Sequence, residues 1–79
     1  MADNDLDKII HLVQTTGKVE KLSASEDFYD AGFSSINALQ LLLDLEAAFD
    51  VTIPDDDFVA ARTCAALEGL ISRLAQGTR

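Results

Sequence analysis

The sequence is poor in cysteine and in long apolar runs, and each absence narrows what the chain can be. Its single cysteine excludes an internal disulfide, so apolar packing alone must stabilise the fold. A chain of 79 residues buries only about 60% of its unfolded surface, which leaves no room for a deep catalytic cavity. No apolar run approaches the roughly 20 residues that cross a bilayer, and the acidic N-terminus does not resemble a signal peptide. We expect one domain, residues 1–79, that is monomeric and cytoplasmic.

Basic residues are absent from the middle of the chain. Between residues 22 and 61 there is no Lys or Arg, while Asp and Glu recur, and the formal net charge of the whole chain is −8. Such a surface repels nucleic acid and anionic membranes and attracts a protein partner with a basic docking face. The alternative explanation is that the negative charge only keeps a small domain soluble. Solubility accounts for the negative sign, but it accounts less well for the complete absence of basic residues from this segment. We therefore expect protein partners, no nucleic acid and no membrane insertion.

Motifs for catalysis and for metal binding are missing as well. One cysteine and one histidine cannot form a zinc cluster, and the consecutive acids at 55–57 lack the alternation and the central glycine of a calcium loop. Nothing in the sequence places His11 beside a serine as a catalytic triad requires. His11 points away from the apolar face of its predicted helix, so we predict a solvent-exposed surface histidine. Cys64 stands where a helix start could favour a thiolate, but a small apolar packing role is the better prediction. We expect no enzymatic activity.

The apolar pattern predicts an all-α fold. Apolar residues recur at the spacing i, i+3, i+4 and i+7 in two segments: Leu6, Ile9, Ile10 and Val13, and later Leu67, Leu70, Ile71 and Leu74. They predict a first helix from Asn4 to Thr15, ended by Gly17, and a last helix that starts near Thr63 and ends at Gly77.

Two connecting regions are predicted to pack onto the core. The long connection from Lys18 to Ser34 has apolar anchors and a flexible Gly32; the anchors are Leu22, Phe28, Tyr29 and Phe33. In the second region, Val51 and Ile53 should face inward, and Pro54 favours a short helix over the acids that follow it. We expect Phe58 and Val59 to pack beneath that short helix.

A helix predicted from Ser35 to Phe49 is apolar on two sides. One sector forms the core face: Ala38, Leu41, Leu42, Leu45 and Phe49. The opposite sector also carries apolar residues, with a glutamine among them: Ile36, Leu39, Gln40, Leu43 and Ala47. A helix of a small bundle needs only one such stripe, so the second requires a partner, a cargo or another face of the core.

A pair of serines opens this helix. The segment reads Gly32-Phe33-Ser34-Ser35-Ile36. A serine in the first helical turn exposes its hydroxyl beside free N–H groups and the positive end of the helix dipole, which together can hold an anion such as a phosphate ester. Serine is also among the best N-capping residues, so a purely structural capping role is the alternative.

From about Phe28 to Leu74 the chain resembles the acyl carrier proteins. That family has a glycine before Asp-Ser-Leu at the start of its second helix. The helix ends in a phenylalanine, which is followed by a short apolar stretch, a proline and an acidic pair. The same order continues here without a gap to Phe49-Asp50-Val51-Thr52-Ile53-Pro54-Asp55-Asp56. The resemblance implies a small four-helix bundle of acyl-carrier type, with three longer helices and one short helix after Pro54.

The resemblance also implies a covalent phosphopantetheine arm whose terminal thiol holds cargo as a thioester. Ser35 falls where the family's modified serine falls. The implied partners are a phosphopantetheinyl transferase, a ligase that loads the cargo and a downstream acceptor enzyme. We expect these partners to contact the start and the exposed side of helix two, at Ser34, Ile36, Leu39, Gln40, Leu43 and Glu46.

Two departures from the family pattern narrow the expected role. Ser34 replaces the aspartate before the modified serine, and Gln40, Ala47 and Ala48 stand where fatty-acid carriers usually have glutamates. These changes favour specialised metabolism over general fatty-acid synthesis. The serine pair, the Gln40-Leu41-Leu42-Leu43 run and the short length are similar to small aminoacyl carrier proteins, which are loaded by ligases related to seryl-tRNA synthetases.

Several alternatives stay open at this point. Stand-alone peptidyl carriers and D-alanyl carriers of cell-wall biosynthesis fit the sequence nearly as well as aminoacyl carriers do. An interaction domain with the carrier fold but no arm is consistent with the double apolar stripe and the acidic surface. A small acidic calcium sensor is the third hypothesis, and it predicts that calcium raises thermal stability.

Overall fold

A computed structural model describes residues 2–76, and within them four α-helices form a bundle. The helices are α1 (Ala2–Gly17), α2 (Ala38–Phe49), α3 (Asp55–Ala60) and α4 (Cys64–Gln76), and a single 3₁₀ turn (Ser35–Asn37) leads into α2. The predicted all-α class and the short helix after Pro54 are thus confirmed. The expected helix end at Gly77 lies outside the described residues.

The core lies between α1, α2 and α4, because α1 contacts both of the other long helices. Each of these helices contributes completely buried side chains, among them Ile9, Val13, Leu41, Leu45 and Leu67. The predicted apolar stripes of all three helices therefore face the core. No described helix is both long and apolar enough to cross a membrane.

The expected packing beneath α3 is correct for Phe58 and wrong for Val59. Phe58 is buried, but Val59 is 66% exposed. Successive residues of a helix point about 100° apart, and α3 is only six residues long, so only one narrow side of it reaches the core. Val51 and Ile53, in the connection before α3, are buried as expected.

Helices α1 and α2 end in the same way. The residue after each helix is left-handed, Lys18 with φ 56° and Asp50 with φ 55°, and neither is a glycine. The next N–H then reaches back over the last turn: Val19 N donates to Gln14 O at 3.0 Å and Val51 N to Glu46 O at 3.3 Å. Both valines are buried, so each closing turn also anchors the following connection to the core.

The long connection between α1 and α2 is bonded to the segment between α3 and α4 and to the first turn of α4. Phe28 N donates to Arg62 O at 3.0 Å, and Ala65 N donates to Ala24 O at 2.9 Å. The Arg62 guanidinium forms an ion pair with Asp27 at 2.7 Å and lies 4.7 Å from the centre of the Tyr29 ring. The prediction that this connection packs down is therefore correct.

Candidate functional site

Three aromatic rings support the backbone just before the serine pair. Phe28 lies 4.9 Å from Tyr29 and 5.4 Å from Phe33, measured between ring centres, and Tyr29 lies 5.7 Å from Phe33. Phe28 and Phe33 are buried. The N–H of Phe33 also donates to Phe28 O at 2.9 Å, so both the side chain and the backbone of Phe33 are fixed. The chain therefore leaves the core at Phe33 in one defined direction.

Gly32 provides the turn that makes this exit feasible. Its φ is 117°, in a region that side-chain-bearing residues rarely adopt, and its N–H donates to Tyr29 O at 3.2 Å. A side chain at this position would be strained although there is open space around it. The glycine predicted to supply special backbone freedom therefore does so, immediately before the aromatic residue and the serines.

Ser34 is the residue that caps the 3₁₀ turn. It is exposed, its backbone is extended, and its Oγ accepts a hydrogen bond from Ile36 N at 3.2 Å. Its carbonyl oxygen accepts a second bond, from Asn37 N at 2.9 Å. The capping role considered for the serine pair is thus performed by the first of the two.

Ser35 is the first residue of the 3₁₀ turn and is exposed. Its carbonyl oxygen accepts a hydrogen bond from Ala38 N. No hydrogen bond engages its hydroxyl anywhere within residues 2–76. The two neighbouring serines therefore differ chemically, because one hydroxyl serves the backbone and the other faces solvent.

The turn after Ser35 differs from the expected α-helical start. Helix α2 begins at Ala38 rather than at Ser35, and the N–H groups of Ile36, Asn37 and Ala38 are already bonded to Ser34 or Ser35. The expectation that these N–H groups are free to hold an anion is therefore wrong. The dipole of α2 remains, since a helix start is positive whether or not its N–H groups are bonded locally.

The second apolar stripe of the α2 region faces solvent. Ile36 is 88% exposed, Leu39 65% and Leu43 50%, and Gln40 beside them is also exposed. The opposite face is buried through Leu41, Leu42 and Leu45. The assignment of the two faces from sequence is confirmed, and the stripe next to Ser35 is not a second face of the core.

The two acids of α2 are engaged within the protein, which the sequence did not reveal. Asp44 accepts from Gln40 Nε2 at 2.9 Å and from Thr16 Oγ1 of α1 at 3.1 Å. Glu46 is half-buried, and its Oε2 accepts from Ile53 N at 2.9 Å. Glu46 therefore helps to hold the connection before α3, and a further role for it in partner binding stays a prediction.

The remaining candidate residues lie apart from the serines. His11 is exposed on α1, with its Nε2 3.5 Å from Thr15 Oγ1. Cys64 is completely buried, and burial raises the pKa of its thiol to about 11, so the apolar packing role is confirmed. Among the described residues, no three His, Cys, Asp or Glu side chains are grouped so that they could hold a metal ion.

An open groove of about 460 Å³ lies between α3 and α4. It is lined mainly by small residues, with one charged side chain of each sign: Asp57, Ala60, Ala61, Ala66, Gly69, Leu70 and Arg73. Neither serine contributes to it. Ser35 therefore lies on an exposed turn outside this groove.

A family model described as a phosphopantetheine attachment site matches residues 7–71, which include both serines, the exposed stripe and parts of all four helices. No curated protein matches the chain.

Proposed function

We propose, since the chain belongs to the family of phosphopantetheine attachment sites, that Ser35 is the residue to which the cofactor is joined. Proteins of this family hold phosphopantetheine covalently, and their carrier domains are not catalytic themselves. The observation that carries the proposal is the exposed Ser35 hydroxyl, which has no hydrogen bond within residues 2–76. It can enter the active site of a modifying enzyme without breaking a contact in this protein.

The neighbouring Ser34 is the weaker candidate. Its Oγ holds the N–H of Ile36, and modification would disturb the cap on which the direction of the turn depends. Loss of a serine cap costs about 1 kcal/mol. The register of the family resemblance supports the same choice, since Ser35 takes the place of the family's modified serine.

The chain's own part in attachment is to present an oxygen and to tolerate a charge. The Ser35 Oγ would bond to the pantetheine-side phosphorus of coenzyme A and give its proton to a base of the transferase. The pyrophosphate P–O bond would break and release 3′,5′-adenosine diphosphate, so that a phosphodiester with one negative charge stays on Ser35. That charge lies at the N-terminal side of α2, where the helix dipole is favourable by about 0.3–1 kcal/mol. When attached, the group supplies a terminal thiol that holds cargo as a thioester.

We propose that the exposed stripe and the residues beside it form a docking surface. It comprises the six residues of the predicted partner contact, Ser34, Ile36, Leu39, Gln40, Leu43 and Glu46. Three exposed aliphatic side chains in one row are unusual on a small domain unless another molecule covers them. The transferase, a loading ligase and an acceptor enzyme would use this surface in turn, because each must bring its active site to the same arm.

We further propose that the cargo is an amino acid, loaded by a ligase related to seryl-tRNA synthetases, in specialised metabolism. The resemblance to small aminoacyl carriers supports this choice. The internal bonds of Asp44 and Glu46 also support it, because they leave α2 with few carboxylates for the basic enzymes of fatty-acid synthesis. Intact-mass measurement of protein purified from its native host tests the cargo, since an acyl chain or a peptide in place of an amino acid would contradict it.

Matched alanine variants test the attachment site. Wild type, Ser34→Ala and Ser35→Ala are each incubated with coenzyme A and a broad-specificity phosphopantetheinyl transferase, and their masses are measured. We expect wild type and Ser34→Ala to gain one arm and Ser35→Ala to gain none. Both variants should keep the helical circular dichroism of the wild type, because both side chains are exposed and the loss of the Ser34 cap costs only about 1 kcal/mol.

Two outcomes would contradict the proposal. Modification of Ser35→Ala but not of Ser34→Ala would move the site by one residue. An absence of modification in the wild type with any transferase would instead favour the alternative function, an arm-free interaction domain. The exposed stripe is the observation that fits that alternative, which predicts partner binding unaffected by Ser35→Ala.

A further inference from the structure

Gly17 is a glycine without a conformational reason to be one. It is the last residue of α1, and the left-handed residue that ends the helix is Lys18 rather than Gly17. A glycine within a helix costs about 0.5–1 kcal/mol relative to alanine. Some other property of this position must therefore require the absence of a side chain.

That property is contact with Phe33. A Cβ added to Gly17 would overlap the Phe33 ring carbon Cδ1 and would lie 2.8 Å from Cε1 and 3.1 Å from Cγ. Real Cβ atoms essentially never approach another heavy atom within 3.0 Å, so the ring would have to move. The end of α1 thus packs directly against the ring of Phe33, the residue that precedes the serine pair.

The Phe33 ring cannot retreat without moving its backbone. It is buried, and it packs edge-on against Phe28 and Tyr29, with ring centres 5.4 and 5.7 Å away. A close-packed interior transmits such a displacement instead of absorbing it. Displacement of the ring would therefore move the backbone of Phe33, which is one residue from the Ser34 cap and two from Ser35.

The same turn of α1 also contacts α2. Thr16 Oγ1 donates to Asp44, in the middle of α2, at 3.1 Å. Adjacent residues at the end of α1 therefore contact the chain before the 3₁₀ turn, through Gly17 and Phe33, and after it, through Thr16 and Asp44. A side chain at Gly17 would displace Phe33, whereas the bond from Thr16 to Asp44 would still hold α2 against α1.

We propose that Gly17 is a positioning residue for modification at Ser35, and that it acts through Phe33. The inference rests on the proposed function. Attachment requires the Ser35 Oγ to be in line with the phosphorus held by the transferase, and a misplacement of 1 Å can slow such a step about 10²-fold. Gly17 contributes by letting the ring lie against α1, so that the turn presents Ser35 in one orientation.

Kinetics of modification test this role, with a second glycine as the control. Gly17→Ala is compared with Gly69→Ala, because Gly69 also lies in a helix but has open space around its Cβ direction. The kcat of the transferase and its KM for each protein variant are measured with saturating coenzyme A. The temperature is one at which unfolding curves show all variants to be folded. We expect Gly17→Ala to lower kcat about tenfold or more with a smaller change in KM, because most of the docking surface lies on α2, beyond the displaced turn. Gly69→Ala should match the wild type.

A rescue variant separates positioning from general damage. Valine at position 33 lacks both ring carbons that the new methyl group would meet most closely, so Gly17→Ala combined with Phe33→Val should regain part of the lost kcat. Backbone amide NMR shifts of residues 34–37 should change in Gly17→Ala and not in Gly69→Ala. If Gly17→Ala does not fold, Phe33→Leu tests the same link from the other side and should lower kcat at constant KM.

The inference is overturned if folded Gly17→Ala is modified at the wild-type rate, or if only its KM changes. It is also overturned if the double variant is modified no faster than Gly17→Ala alone. A wild type that accepts no arm would defeat the proposed function itself, and the inference with it. A wild type that is modified normally while Gly17→Ala is unaffected would defeat the inference alone.

Discussion

At the scale of single residues, one hydrogen bond distinguishes two serines that are identical and adjacent. Ser34 Oγ accepts the N–H of Ile36, whereas the Ser35 hydroxyl faces solvent. The sequence allows both serines to cap and both to be modified, so the distinction depends on where the turn begins. That point is set by Gly32 and by the buried Phe33, which together fix the direction in which the chain enters the turn.

Cys64 offers a prediction at the same scale. Its thiol is completely buried, and burial raises its pKa to about 11, so at pH 8 it is protonated and inaccessible. We predict that iodoacetamide leaves the native protein unlabelled at pH 8 and adds one group per chain in urea. Intact mass before and after denaturation measures this. Labelling of the native arm-free protein as fast as a free cysteine would show that α4 does not pack as described.

At the scale of elements, α2 can be tested by a matched pair of neighbouring leucines. Leu42 is buried, whereas Leu43 is half exposed. We predict that Leu42→Glu unfolds the protein or costs about 4 kcal/mol or more, because it buries a charge without a partner. Leu43→Glu should change stability by about 0.5 kcal/mol or less but weaken transferase docking. Urea unfolding and the transferase KM give the two readouts, and an equal loss of stability in both variants would refute the face assignment.

Elements with a strong apolar period could be predicted from sequence, and elements defined by a few contacts could not. The core stripes of α1, α2 and α4 follow from spacing alone. The exposure of Val59 does not, because one and a half turns of α3 contain too little pattern to define a face. Two contacts cannot be predicted from any local sequence pattern. They are the bond from Ile53 N to Glu46 and the packing of Phe33 against Gly17. Gly17 lies near the end of α1, where a glycine suggests a left-handed cap. The structure shows that Lys18, with its positive φ, is the left-handed residue instead.

At the scale of the whole molecule, one ion pair joins the connection that carries the serines to the far side of the bundle. Arg62 Nε lies 2.7 Å from Asp27 Oδ2, and Asp27 Oδ1 also accepts from Tyr29 N at 2.9 Å. The hydrogen bond from Arg62 is the main cause that holds the pKa of Asp27 below its usual value, followed by partial burial, which acts in the opposite direction. Arg62 matters the more on this acidic surface, because residues 22–61 contain no Lys or Arg.

This ion pair predicts how stability responds to acid. Because the folded pKa of Asp27 is lower than its unfolded value of about 4, its contribution is complete above that value and is lost as the pH falls through the folded pKa. Asp27→Asn keeps an oxygen for the Tyr29 N–H but removes the charge. The difference in unfolding free energy between wild type and Asp27→Asn should be constant from pH 5 to 7 and shrink below about pH 4. A difference that grows in acid would contradict the direction of the pKa shift.

Mapping the arm onto the chain tests the central claim most directly. The wild-type protein is modified with coenzyme A and a phosphopantetheinyl transferase, digested, and fragmented by tandem mass spectrometry across residues 32–37. We predict that the added mass appears in every fragment that contains Ser35 and is absent from fragments that end at Ser34. Fragments that carry the mass without residue 35 would contradict the account.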